Sequence, residues 1–164
     1  PDFCKDIPRK DWIAHGTDAW AVYNWGKFVD DPGSVSGKPV RINTDHINWV
    51  AYKKLNILPG AGGNTNIRYD IYAHIKAEAN KGANDSTLVC DSGWCNSPQV
   101  LTRPVSMKDL IPGKYFYVKI AENIAPSLTG YVWVAPRNNA DLIKYVYVDH
   151  MVFVKIQNPI PVTE

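Results

Sequence analysis

The chain has 164 residues, of which 45% are hydrophobic, and this is enough apolar surface for the core of one domain. Its 18 basic and 16 acidic residues are interspersed and leave a net charge of +2, so the composition argues against nucleic acid as a partner. No apolar run approaches the roughly 20 residues that cross a bilayer, which argues against membrane insertion.

Short apolar stretches between turns rich in Gly, Pro, Asn and Asp predict strands along most of the chain. Residues 1–16 are mixed and punctuated by proline, and we expect an extended N-terminal segment. The predicted strands are 19–25, 39–42, 47–55, 66–77, 87–90, 100–105, 114–122, 131–136 and 145–156, and only 106–110 fits a helical turn. So many single-faced strands predict an all-β, antiparallel two-sheet β-sandwich over residues 1–156. Residues 157–164 carry two prolines and no periodicity, which is typical of a linker to a further domain.

The stretch NIRYDIYAHIKAE at 66–78 alternates apolar and polar residues, so a strand here keeps one face dry. Its second face carries Arg68, Asp70, Tyr72 and His74 in one row. If Tyr115 and Tyr117 lie on a neighbouring strand with the same orientation, the two rows form an aromatic and polar surface. The alternative is an outer face that is simply solvated.

The cysteine spacing in CDSGWC predicts a disulfide between Cys90 and Cys95 across a four-residue loop. A zinc site would need further Cys or His ligands, and no nearby cluster supplies them. Cys4 is left over, either free or paired outside this segment. A disulfide implies an oxidising compartment, so we expect a secreted, extracellular protein.

Two loops offer a second place for a ligand. The closed CDSGWC loop would present Trp94 as an exposed indole with little ordering entropy to lose on binding. The alternative is that Trp94 folds back onto the sandwich. Arg137, Asn138 and Asn139 follow the strand YVWVAP and are further candidates.

Motifs of catalysis are scarce. The sequence contains no G-x-S-x-G elbow, no G-x-G-x-x-G loop and no Walker-type loop. His74, beside Tyr72 and Asp70, could act as a general base in a polysaccharide lyase, although lyase-type strands are absent. His15, His46 and His150 have no partner visible in the sequence.

Three carboxylates are weak candidates for a structural calcium ion, namely Asp30, Asp31 and Asp149. Asp149 interrupts an otherwise apolar strand, where a buried charge is costly unless it is neutralised. We expect Asp149 near a strand end facing water, with a bound cation or a basic side chain as the alternative. No cofactor is required by the sequence.

The order of motifs resembles the jelly-roll carbohydrate-binding modules of the galactose-binding-like superfamily. The stretches that carry the resemblance are DDPGSVSGKPVRI, NWV, IRYDIYAHIK, YVWVAP and YVYVDHMVFV, within residues 16–156. The resemblance implies a jelly roll and a non-catalytic role, in which the module binds a polysaccharide or oligosaccharide and holds an attached secreted glycan-degrading enzyme near it. An adhesive or structural protein-binding sandwich is the first alternative, and a jelly-roll lyase or hydrolase is the second.

Overall fold

The computed structural model describes residues 1–16, 20–22, 25–45, 51–56, 58–62, 66–96 and 99–157. None of the helical segments in this part of the chain is long and apolar enough to span a membrane. His46, parts of the predicted strands 19–25 and 47–55, and the predicted linker beyond residue 157 lie outside the described residues.

Antiparallel strands dominate the described residues. They are β1 (Trp12–His15), β2 (Trp20–Val22), β3 (Gly26–Phe28), β4 (Val40–Asn43), β5 (Ala51–Lys54), β6 (Tyr69–Ala79), β7 (Leu88–Asn96), β8 (Gln99–Ser106), β9 (Phe116–Ile124), β10 (Tyr131–Pro136) and β11 (Ile143–Lys155). One sheet has six strands in the order β3-β4-β11-β6-β9, with β1 also paired to β11, and the other has the order β2-β5-β10-β7-β8. The fold is therefore an antiparallel two-sheet β-sandwich, as the strand pattern predicted.

The core lies between the inner faces of the two sheets. On β6, every second residue from Tyr69 to Ala77 is buried, which confirms the predicted alternation. The same cluster takes in Val40, Ile42, Val132, Val134, Val146, Val148 and Phe153. Because these side chains are almost fully buried, each contributes about 1.5–3 kcal/mol through removal of its apolar surface from water.

Strand β7 contradicts the predicted disulfide. The sequence DSGW does not form a loop, because β7 runs unbroken from Leu88 to Asn96. Cys90 and Cys95 therefore lie about 16 Å apart along one extended strand, and their side chains point to opposite faces. Cys90 packs in the core and Cys95 packs beside Trp133 on the outer face. Both thiols are free, and so is that of Cys4, which is buried.

The sequence predicted an extended N-terminal segment, and the structure shows that this segment is not extended throughout. It contains two single 3₁₀ turns, Asp2–Cys4 and Arg9–Asp11, and then β1 joins the six-stranded sheet by pairing with β11. Ile13 packs against the main core, which fixes this strand on the sandwich. The predicted helical turn is confirmed at Met107–Asp109, where Ser106 and Asp109 form a capping box.

Candidate functional site

The outer face of the six-stranded sheet carries the polar side of β6, and two other parts of the chain fold over it. The N-terminal segment packs on one end of this face. The β3–β4 loop, residues 29–39, packs on the centre. At the other end, tyrosines and charged side chains remain half-buried and reach solvent. We call these three parts the covered end, the centre and the open end.

At the covered end, apolar side chains of the N-terminal segment lie on the sheet. The ring of Phe3 stacks on Tyr72 with 4.0 Å between centroids and meets Tyr117 edge-on at 5.0 Å. Cys4 packs with Val152 and Val154 of β11. This contact removes one face of Tyr72 from solvent.

At the centre, the carboxylate of Asp149 is fully buried and accepts five hydrogen bonds. Its Oδ2 accepts from Nδ1 of His74 and Nδ1 of His150, both at 2.9 Å, and from the Val35 backbone N–H at 2.8 Å. Its Oδ1 accepts from the backbone N–H and the hydroxyl of Ser36. The expectation that Asp149 faces water near a strand end is therefore wrong.

A β-bulge explains why Asp149 and His150 both reach the same side of the sheet. The pairing of β11 with β6 shifts between Val148 and Met151, so two residues of β11 lie opposite His74. Both Asp149 and His150 then meet the imidazole of His74, although neighbours on a regular strand would point apart.

The charge of Asp149 is held by its partners. Burial raises the pKa of this carboxyl group, but the hydrogen bonds from His150, His74 and Ser36 outweigh burial and lower the pKa well below its usual range. Asp149 is therefore ionised at neutral pH. Both imidazoles donate from Nδ1, and the hydroxyl of Tyr117 lies 2.7 Å from Nε2 of His150.

The arrangement at the centre is better suited to holding the loop than to catalysis. His74, Asp149 and His150 bring ligand atoms within 4.8 Å of one another, but the Asp149 oxygens are already occupied by N–H and O–H donors. His74 is 7% exposed, and its ring lies against Tyr117 at 4.1 Å and Tyr115 at 5.1 Å. A general base must reach a substrate proton, and His74 is covered.

The open end consists of Arg41, Lys76, Glu78, Tyr115, Tyr145 and Tyr147. Strand pairing places them side by side, because Tyr147 lies opposite Arg41 on β4 and opposite Lys76 on β6. The guanidinium of Arg41 lies 4.2 Å from the Tyr145 ring centroid, and the ammonium of Lys76 lies 4.3 Å from that of Tyr147. These are cation–π distances.

Hydrogen bonds fix two of the three tyrosines of the open end. The Tyr147 hydroxyl donates to Glu78 at 3.0 Å, and the Tyr115 hydroxyl donates to Asp31 at 2.8 Å. Burial and the Glu78 hydrogen bond raise the pKa of Tyr147 to about 12. Lys76 pairs with Asp31, and this hydrogen bond lowers the pKa of Asp31 despite its partial burial. At neutral pH the open end therefore presents neutral phenols among fixed charges.

The structure separates the predicted row on β6 into different roles. Tyr72, His74, Tyr115 and Tyr117 are brought together, because His74 lies opposite Tyr117 on β9. Arg68 and Asp70 instead hold Asn123, whose φ is +54°. Nη1 of Arg68 donates to the Asn123 carbonyl, and the Asn123 N–H donates to Asp70.

The predicted loop site is not on this face. Trp94 is 6% exposed and packs in the core, so the expectation of an exposed indole is wrong. Arg137 pairs with Asp91 at 2.9 Å, and Asn139 donates from Nδ2 to the Leu88 carbonyl, so both side chains fasten the chain after β10 to β7. Asn138 is exposed.

The three calcium candidates do not share one pocket. Asp30 is exposed and pairs with Lys38 at 3.0 Å. Asp31 binds Lys76 and Tyr115, and Asp149 binds the two imidazoles and Ser36. Each carboxylate thus has a donor from the protein, and calcium binding stays a prediction.

Sequence reasoning missed Arg41, Lys76, Glu78, Tyr145 and Tyr147. The strand containing both tyrosines has valines in one register and large apolar or aromatic side chains in the other, a pattern that is typical of a strand covered on both faces. The hydroxyl groups were the overlooked signal: Tyr145, Tyr147 and Asp149 share one register, and three polar groups in one register indicate a wet or hydrogen-bonded face.

No protein-family model matches the chain, and no curated protein sequence matches it. Among solved structures, a xylan-binding domain from CBM22 superposes with a TM-score of 0.52 and 15% identity, over 90% of this chain and 96% of that domain. The chain therefore shares the sandwich fold of this domain.

Two larger structures contain a similar sandwich. One is the CBM22-1–GH10 portion of endo-1,4-beta-D-xylanase 10B from Clostridium thermocellum complexed with xylohexaose, with a TM-score of 0.51, 15% identity and coverage of 87% of this chain and 27% of that one. The other is an arabinose-bound α-L-arabinofuranosidase, with a TM-score of 0.50, 13% identity and coverage of 84% and 23%. The chain therefore spans about a quarter of the length of these two structures.

Proposed function

We propose that the protein is a non-catalytic carbohydrate-binding module and that the open end contacts a polysaccharide. The observation that carries this proposal is the group of three half-buried tyrosines, Tyr115, Tyr145 and Tyr147, interleaved with Arg41, Lys76 and Glu78 on one side of a jelly roll. The likeness in fold to a xylan-binding domain makes xylan the first ligand to test.

The chemistry of the open end suits a sugar ring. A pyranose has apolar C–H patches that stack on aromatic rings and hydroxyl groups that need donors and acceptors nearby. Tyr145 and Tyr147 lie 6.2 Å apart between ring centroids, and their hydroxyl groups and the Glu78 carboxylate lie at the same surface. Their cation–π and hydrogen-bond contacts hold these rings in place, so little side-chain entropy is lost on binding.

The buried centre supports a role without catalysis. His74 and Asp149 form the most enzyme-like pair in the described residues, and the β3–β4 loop covers them. A module that only binds glycan acts by raising the local concentration of a partner. We propose attachment to a glycan-degrading enzyme and an extracellular location, where polysaccharides are found. The proposed location rests on this function alone, because the disulfide that first indicated it is absent.

Affinity electrophoresis with soluble xylan tests the proposal. We expect xylan to retard the wild-type protein, and Tyr145→Ala and Tyr147→Ala each to weaken binding at least about tenfold, which corresponds to about 1.4 kcal/mol. Tyr131→Ala is the matched control, since Tyr131 is half-buried on the five-stranded sheet, away from the open end. We expect this variant to bind as the wild type does.

Other outcomes separate the alternatives. Failure of the protein to bind any polysaccharide in a full panel would contradict the proposal and favour a protein-binding sandwich. For that function, the exposed Val100 and Leu101 on β8 offer an apolar edge. Loss of retardation in Tyr72→Ala with normal retardation in Tyr145→Ala would move the site to the covered end. Release of reducing or unsaturated sugar ends would establish an enzyme.

A further inference from the structure

A polar pocket lies beside the open end, where β3, β4 and β11 meet. Its volume is about 300 Å³, and it is lined by Trp25, Gly26, Lys27, Arg41, Asn43 and Tyr145. Tyr145 belongs to both the pocket and the open end, so the two surfaces are continuous. The pocket is at the lower end of the size range for small-molecule sites, which fits one sugar or one substituent.

The ring of Tyr145 positions the guanidinium of Arg41, which keeps N–H donors available for a ligand. It lies over the Tyr145 ring at 4.2 Å, which limits its orientation. Among the described residues it makes no ion pair, and its buried Nε has no hydrogen-bond partner. Arginine offers five N–H donors in a planar fork that matches the two oxygens of a carboxylate.

The described lining of the pocket carries an excess of positive charge. Lys27 lies opposite Arg41 in the pairing of β3 with β4, so both cations project from the same face. Lys27 is exposed and makes no ion pair within the described ranges. Among the described residues, the lining thus contains two cations and no acid, whereas the neighbouring Lys76 and Lys144 are paired with Asp31 and Glu78.

We propose that this pocket binds the carboxylate of a uronic acid, so that the module prefers an acidic polysaccharide such as glucuronoxylan over its neutral counterpart. This inference rests on the proposed function and names the substrate class of the same site. Arg41 binds the carboxylate through its fork, Lys27 adds a second positive charge, and Asn43 donates to a neighbouring sugar hydroxyl. The backbone sugars of the polymer extend from the pocket over Tyr145 and Tyr147.

Carboxyl reduction provides a direct test, because it converts glucuronic acid to glucose while the polymer backbone remains. We expect the wild-type protein to bind glucuronoxylan roughly tenfold or more tightly than the carboxyl-reduced polymer, since hydrogen bonds to a charged group are the strong ones. Isothermal titration calorimetry measures both affinities. The difference should narrow from about 50 mM to about 500 mM sodium chloride, because salt screens exposed charges.

Two variants locate the effect. Lys27→Gln should reduce affinity for the acidic polymer and leave affinity for the reduced polymer close to that of the wild type. Arg41→Gln should weaken binding of both polymers, and that of the acidic polymer by the larger factor, because Arg41 also holds the Tyr145 ring. Arg41→Lys should give an intermediate result, because it keeps the charge and loses the fork. Arg103→Gln is the matched control, as it removes one exposed positive charge from β8 on the other sheet. Circular dichroism verifies that each variant is folded.

The possible results separate failure of the acidic pocket from failure of the proposed function. Equal binding of both polymers by the wild type would overturn the acidic pocket and leave the proposed function standing. An equal loss in Arg103→Gln and Arg41→Gln would also overturn it, because the preference would then reflect net charge alone. Binding of neither polymer would contradict the inference and the xylan form of the proposed function together.

Discussion

Asp149 shows how a single buried charge holds a loop on the sheet. Its five hydrogen bonds join β6, β11 and the β3–β4 loop, so removing the charge leaves donors in a buried place without an acceptor. Leaving buried hydrogen-bond donors without an acceptor costs about 1–3 kcal/mol, and more where the lost partner was charged. Asp149→Asn should therefore lower the free energy of unfolding by about that amount at pH 7, as measured by urea denaturation.

The dependence of folding stability on pH provides a second test of the role of Asp149. Because the pKa of Asp149 is lowered in the folded protein, the unfolded state binds more protons once the pH falls below about 4. Stability from this group is fully present at neutral pH and is lost progressively below that value. The Asn variant should lose less stability between pH 6 and pH 3 than the wild type does, and Asp85→Asn, at an exposed position, should follow the wild type. Parallel profiles for all three proteins would contradict this assignment.

At the scale of the strand, Gly93 explains why DSGW is extended. A Cβ atom at this position would lie 1.9 Å from the Leu101 carbonyl oxygen on β8, so only glycine allows the two backbones to approach this closely. The sequence-based prediction treated this glycine as a turn residue. Spacing alone could not distinguish a turn glycine from a strand glycine, and the error also produced the wrong disulfide and the wrong exposure of Trp94.

A substitution tests this explanation. Gly93→Ala should destabilise the protein by about 1–3 kcal/mol or more, because the added methyl group must push β7 and β8 apart. Gly62→Ala is the control, since nothing lies within 4 Å of a Cβ atom there. Thermal unfolding measures both. Equal melting temperatures for the two variants would show that β7 and β8 lie further apart than described.

Much of the sandwich followed from period-two patterns within single strands. β10 matches its predicted bounds of 131–136, and the inner face of β6 is as expected. The division of the outer face into a covered end, a centre and an open end could not be predicted from these patterns, because it depends on contacts between residues distant in sequence. Ser36 meets Asp149, and Phe3 meets Tyr72, and nothing local to either partner indicates the other.

At the scale of the whole molecule, we predict that the fold does not depend on a bound ion. Calcium takes six to eight oxygen ligands, and the carboxylates of Asp31 and Asp149 are already held by donors of the protein. We therefore expect a chelator such as EDTA to leave the melting temperature unchanged. A fall of several degrees, restored by added calcium, would establish the structural ion that the sequence indicated.

The position of the first residues matters for anyone who shortens this protein. Phe3, Cys4 and Ile7 cover an apolar strip formed by Val152, Val154 and the ring of Tyr72. A version trimmed before β1 would uncover that strip, and such surfaces adhere to one another and to many unrelated materials. Apparent binding measured with a shortened chain could then report stickiness where recognition was intended.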